Sequence, residues 1–300
     1  MPSYATHHIF AATVQRVTGD SVARIAAAYP AGYRWGAQGP EPLCLYHAPF
    51  PSQMRRLAQR MRTEPPAPLF EALCDAAVRE HNTAALAYVF GFCTNYALDR
   101  VTHAFIGAQA DRLALYVPGY SAEARRKLAE SDIDGIMIAG FIAAEPAKFE
   151  AYRLLDPNAA ECTVLSRVVA SAAKSVYGMR VPPAAVYHSL HDMRRILHLT
   201  HSGSLARGRL QWVERLFGKA GQASSLIRPA EPLAADCANE EHRPWLSDGV
   251  ERTDSFCDLF DAAVPLAVSL QRAVLDRYYQ QKPLDPRFFP TDFTGTVAKS

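Results

Sequence analysis

Asn95, Asp99 and His103 recur at intervals of four, and on a helix that spacing lines them along one face, drifting about 40° per step. A carboxylate and an imidazole one turn apart can bracket a metal ion. The same pair can also be a polar stripe where two helices meet. Arg126, Glu130 and Asp134 repeat the spacing further along. Taken alone, that second set reads as a solvated helix face with an ion pair, worth about a few tenths of a kcal/mol.

Other histidines compete for attention. His7 and His8 lie together just before an apolar helical stretch, and His188, His191, His198 and His201 decorate one helix and its end. His191 and His198 share a face, but Arg194 and Arg195 beside them make an exposed basic face the natural reading. Gly36 and Gly39 are followed by Pro40 rather than by the Lys-Ser/Thr of a phosphate loop, and no G-x-S-x-G nucleophile elbow occurs.

The elements that must position these residues read as helices. Apolar spacing predicts them over 11–28, 51–62, 67–80, 83–108, 121–144, 161–177, 183–200, 204–218 and 253–279, the last capped by Thr253 or Asp254. The stretch 83–108 is apolar nearly all round and belongs at the centre of a bundle. Residues 29–50, rich in proline and glycine, read as irregular loop, and 221–252 as a polar loop or flap. With few segments alternating at period two and no flexible linker, the expected architecture is all-α, a single-domain multi-helix bundle over 1–300.

Composition limits the function classes. Hydrophobic residues make up 49% of the 300, and the formal net charge is only +2. That supplies a core and argues against nucleic acid as a partner. The six cysteines are scattered without a C-x-x-C pair, which suits a reducing compartment. No apolar run reaches the roughly 18–20 residues of a membrane span, and the opening residues lack a charged-then-apolar leader. The expected location is cytoplasmic.

Several stretches resemble a known family when taken together. They are Tyr4-Ala-Thr-His-His-Ile-Phe10, Trp35-Gly-Ala-Gln-Gly-Pro-Glu41, Gly91-Phe-Cys-Thr-Asn-Tyr-Ala-Leu-Asp-Arg-Val-Thr-His103 and Leu128-Ala-Glu-Ser-Asp-Ile-Asp134. Glu241-His-Arg-Pro-Trp245 and Ser255-Phe-Cys-Asp-Leu-Phe260 follow. The set looks like the zinc-dependent phospholipase C family, especially its unsecreted bacterial branch. That resemblance implies a helical fold and, in active members, three clustered zinc ions that activate water against a phosphodiester.

Residue by residue, the resemblance implies metal ligands at His7, Asp99, His103 and Glu130, with Glu41 where an aspartate is expected. Three ligand positions are substituted: Asn95, Arg126 and Arg62 stand where histidines would. An amide is a poor zinc donor, and a guanidinium, always protonated, is none. At most one or two zinc ions are expected from what survives. Two functions follow from the resemblance. One is a divergent metal-dependent phosphodiester hydrolase, inactive if its ligands are too few. The other is a non-catalytic binding protein on the same scaffold, with arginines replacing zinc and gripping an anionic small molecule.

Overall fold

The computed structural model describes residues 4–155, 157–200, 204–216, 221, 224–229, 231–247 and 249–297. Among them are twelve α-helices and one two-stranded sheet, so the fold is all-α. Two compact units divide the chain. The first takes residues up to Ile9, then Val101–Ala151 and Leu197–Ala262; the second takes Phe10–Arg100, Tyr152–Ile196 and the rest from Ala263.

The second unit is built around α7 (Thr83–Arg112), which supplies its residues up to Arg100. Residues 84–99 of this helix are all buried, as an apolar circumference dictates. Against it lie α3 (Pro30–Ala37) and α6 (Pro66–Glu80), and α9 (Ala159–Tyr177) packs on those two. Phe70, Phe92 and Tyr96 form an aromatic cluster that the C-terminal Phe289 and Phe293 complete, with ring centroids 5.0–5.7 Å apart. One buried amide ties four helices. Gln271 on α12 (Phe256–Gln280) donates to Tyr33 Oη and to the Phe90 carbonyl, and accepts from Thr18 Oγ1. Tyr33 Oη in turn donates to the Ala11 carbonyl on α1 (Tyr4–Val17). Burial raises the Tyr33 phenol well above its ordinary range, so it remains a donor.

Two glycines set the crossing of α3 over α7. A Cβ on Gly36 would overlap the Tyr88 carbonyl, and one on Gly91 would overlap the Tyr33 carbonyl. The backbones therefore touch, which only a residue without a side chain allows. This corrects the reading of 29–50 as loop. Pro30 occupies the first turn of α3, where its missing N–H costs nothing, and α4 (Glu41–Cys44) follows. The glycines here serve contact and do not break the helix.

Three other boundaries differ from the sequence reading. The helix expected over 11–28 is two, α1 and α2 (Asp20–Ala28), because Gly19 is extended at ψ 148°. The helix expected to Ala144 ends as α8 (Ala122–Met137), then widens into a π turn over Ile138–Ile142 that stops at left-handed Ala143. The last helix is capped by neither Thr253 nor Asp254. Ser255 Oγ accepts from the Asp258 N–H, while Asp258 Oδ2 accepts from the Ser255 N–H and hydroxyl. That is a reciprocal capping box with aspartate as the returning acid.

In the first unit, the described part of 221–252 carries a short antiparallel hairpin, β1 (Trp245–Ser247) with β2 (Val250–Arg252). Asn239, fully buried, organises this segment. Its Oδ1 accepts from Arg112 and from the Arg243 N–H, and its Nδ2 donates to the carbonyls of Arg243, Thr253 and Asp254. The Trp245 ring packs edge-on against Phe105 of α7. Among the described residues no helix is long and apolar enough to cross a membrane.

Candidate functional site

Two arginine–glutamate pairs occupy the positions singled out in the sequence. In the second unit, α5 (Gln53–Thr63) begins at Ser52, whose hydroxyl accepts from the Arg55 N–H. Its far end presents Arg62 to α4. Arg62 Nη1 lies 3.1 Å from Glu41 Oε1, with the two side chains 25% and 18% exposed. Cys44 follows one turn after Glu41, where the Arg62 guanidinium acts on its thiol. Burial pushes the Cys44 thiol up to about 12, Glu41 adds to the rise, and Arg62 opposes it. The sulfur is therefore a neutral thiol, with no nucleophilic character near neutral pH.

In the first unit, Arg126 Nε donates to Glu130 Oε1 at 3.2 Å along α8, and Arg126 Nη2 reaches the His103 carbonyl at 3.4 Å. The arginine thus ties its own helical neighbour to the backbone of α7. Gly107 lies one turn after His103, and a Cβ there would make ordinary van der Waals contact with Arg126 Nη1 at 3.8 Å.

Asn95 is fully buried on α7, and its Nδ2 donates to the Ala37 carbonyl at 3.1 Å, near the end of α3. A Cβ on Gly39, itself at φ +56°, would overlap the Asn95 amide. The amide thus ends α3 and fits the turn behind it. Asp99 is fully buried on the same helix, and His7 is 2% exposed on α1. His103 is half-buried.

Asp134 departs most from its sequence reading. It does not lie on a solvated face: it is 1% exposed. Its Oδ1 accepts from the Thr6 N–H and hydroxyl, and its Oδ2 accepts from Arg228 Nε and Nη2, the closer at 2.8 Å. Arg228 also donates to the carbonyls of Pro146 and Phe149. Sequence reading missed Thr6 and Arg228, since 94 residues separate Arg228 from Asp134 and no periodicity links them.

These arrangements bear directly on zinc. The ion needs roughly four close N, O or S donors. Glu41 and Glu130 each face a guanidinium, which already supplies positive charge and cannot ligate. Among the described residues, no group of three or more His, Cys, Asp or Glu side chains is placed to hold a metal ion. Among those residues, the donor set does not fit a zinc cluster. His201 lies outside the described residues. His188 is exposed and His191 half-buried beneath the Tyr187 ring, centroids 4.9 Å apart. Partial burial and the nearby Arg195 lower the His191 imidazole's proton affinity, as a basic face should.

Compared with family models, curated proteins and solved structures, the chain matches none.

Proposed function

We propose that this chain is a divergent relative of the zinc-dependent phospholipases C that works by binding and not by hydrolysis, with arginines in the charge role of the ions. One observation carries the reading. Both arginines standing at expected histidine positions pair with the glutamates at expected ligand positions, Arg62 with Glu41 and Arg126 with Glu130. A carboxylate cluster built around dications needs its charge balanced once the ions are gone. Guanidinium is the side chain best matched to that task. An anionic small molecule is the ligand class such a scaffold suits.

The competing reading is a metal-dependent phosphodiester hydrolase. His7 and Asp99, both ligand-type side chains and both almost wholly buried, favour it. One experiment separates the two. Protein purified without chelators is assayed for bound metals by mass spectrometry, and for hydrolysis of bis(p-nitrophenyl) phosphate with and without added zinc. Binding without hydrolysis predicts metal far below one equivalent and no zinc-dependent turnover. About one zinc per chain, the minimum for metal-assisted attack, would restore the hydrolase.

A further inference from the structure

Arg100 follows Asp99 on α7 and plays no part in the arginine–glutamate pairs. Its side chain is half-buried, and its one protein hydrogen bond among the described residues runs from Nη1 to the Phe288 carbonyl at 3.2 Å. Among those residues it has no carboxylate partner. A guanidinium carries five N–H donors, so most of this one's are left for something else. Partly desolvating a cation without a counter-ion is costly. The more deeply buried Arg228, by contrast, has Asp134.

Arg100 opens onto a wide, shallow cleft of about 480 Å³ within the second unit, largely open to solvent. Pro265 and Leu266 of α12 and the ring of Phe288 give it an apolar wall. Ser269, one turn along from Pro265, offers a hydroxyl, and Arg287 a second guanidinium at the rim. Asp285 also lines the cleft, but Arg287 holds it in a bidentate pair, with Nη2 2.6 Å from Oδ2. That pairing drops the Asp285 carboxyl below its ordinary range. The acid is thus already neutralised, whereas Arg100 is not.

We propose that this cleft binds a small organic anion, a carboxylate or phosphate group joined to an apolar body, with Arg100 holding the anion and Leu266 and Phe288 packing the body. The ligand class follows from the lining: one uncompensated planar donor fork beside an apolar wall. It stands apart from the family reading, because none of these residues belongs to the implied zinc site.

The test is calorimetric titration of the full chain with benzoate, phenyl phosphate and inorganic phosphate. Benzoate or phenyl phosphate should bind with Kd below about 1 mM, and inorganic phosphate about tenfold more weakly. Whichever of the first two binds tighter identifies the anionic group. Arg100→Gln keeps an amide donor for the Phe288 carbonyl but removes the charge, and should weaken binding about tenfold or more. Leu266→Glu sets a carboxylate on the wall of a half-exposed helix position without touching Arg100, and should weaken it as much. Absence of saturable binding, equal binding of inorganic phosphate, or unchanged affinity in a folded variant overturns the proposal.

Discussion

Arg62 reaches from α5 to α4 and donates from Nη1 to Glu41 Oε1 at 3.1 Å, with both side chains less than one-third exposed. The pair joins residues 21 apart in sequence, so it fixes how two short helices dock. Exposed pairs contribute about 0–1 kcal/mol and buried ones lose about 3–5 when one partner is removed. Arg62→Ala should therefore destabilise by about 1–3 kcal/mol in urea unfolding. Arg126→Ala should do likewise, since it loses Glu130 and the His103 carbonyl together. Double-mutant cycles with Glu41→Ala and Glu130→Ala should return coupling of about 1 kcal/mol. If both truncations leave stability unchanged, the arginines carry no structural charge and the metal-replacement idea falls.

The α3–α7 crossing gives a second expectation. Gly91→Ala puts a methyl into the Tyr33 carbonyl and the nearby Ala37 N–H. Backbone cannot yield as a flexible side chain does, so the helices must separate and their packing is lost. The cost should be about 3 kcal/mol or more, although alanine is intrinsically the better helix former. Gly19→Ala, with open space around it, is the control. A melting temperature for Gly91→Ala equal to wild type would mean that the helices do not touch there.

The contrast between these two relationships shows what the sequence could disclose. The α7 helix was legible because its apolar residues surround it, and the Arg126–Glu130 pair because four residues is one turn. Arg62–Glu41 was not legible from spacing at all; only the resemblance put the two in one list. Gly32 and Gly36 misled, since glycine signals loop and close contact alike. Asp134 also misled, because a helical period reveals which residues share a face but not what packs against it. The cleft at Arg100 gave no signal: one arginine beside an aspartate looks like any polar step on a helix.

Asp134 supplies the largest electrostatic prediction. Its carboxylate is 2% exposed and its partner Arg228 14% exposed, so removing either leaves a charge stranded out of water. Asp134→Ala should destabilise by about 3–5 kcal/mol. It also orphans the Thr6 N–H and hydroxyl that Oδ1 now satisfies. Adding Arg228→Met should recover part of the loss, because an apolar residue replaces the stranded cation. Urea midpoints of the single and double variants decide it. A double variant less stable than the sum of its parts would show that the Arg228 bonds to the Pro146 and Phe149 carbonyls outweigh its pairing with Asp134.

The capping box at α12 makes stability depend on pH in a definite direction. Asp258 accepts from the Ser255 N–H and hydroxyl, and these bonds draw its carboxyl below the ordinary value. A carboxylate with a depressed folded value stabilises fully above its unfolded pKa, and that contribution is lost as pH falls through the folded one. The cap is therefore complete near neutrality and weakens below about pH 4, where free aspartate protonates. Ser255→Ala removes the hydroxyl that serves both halves of the box and should cost about 1 kcal/mol at pH 7. Half of the Asp258 side chain is exposed, so solvent keeps the effect small. The gap between wild type and Ser255→Ala should narrow steadily between pH 5 and about pH 2, as Asp258 protonates in both. Urea unfolding across that range measures it, and a gap that stays constant or widens toward acid would show that Asp258 does not close the box.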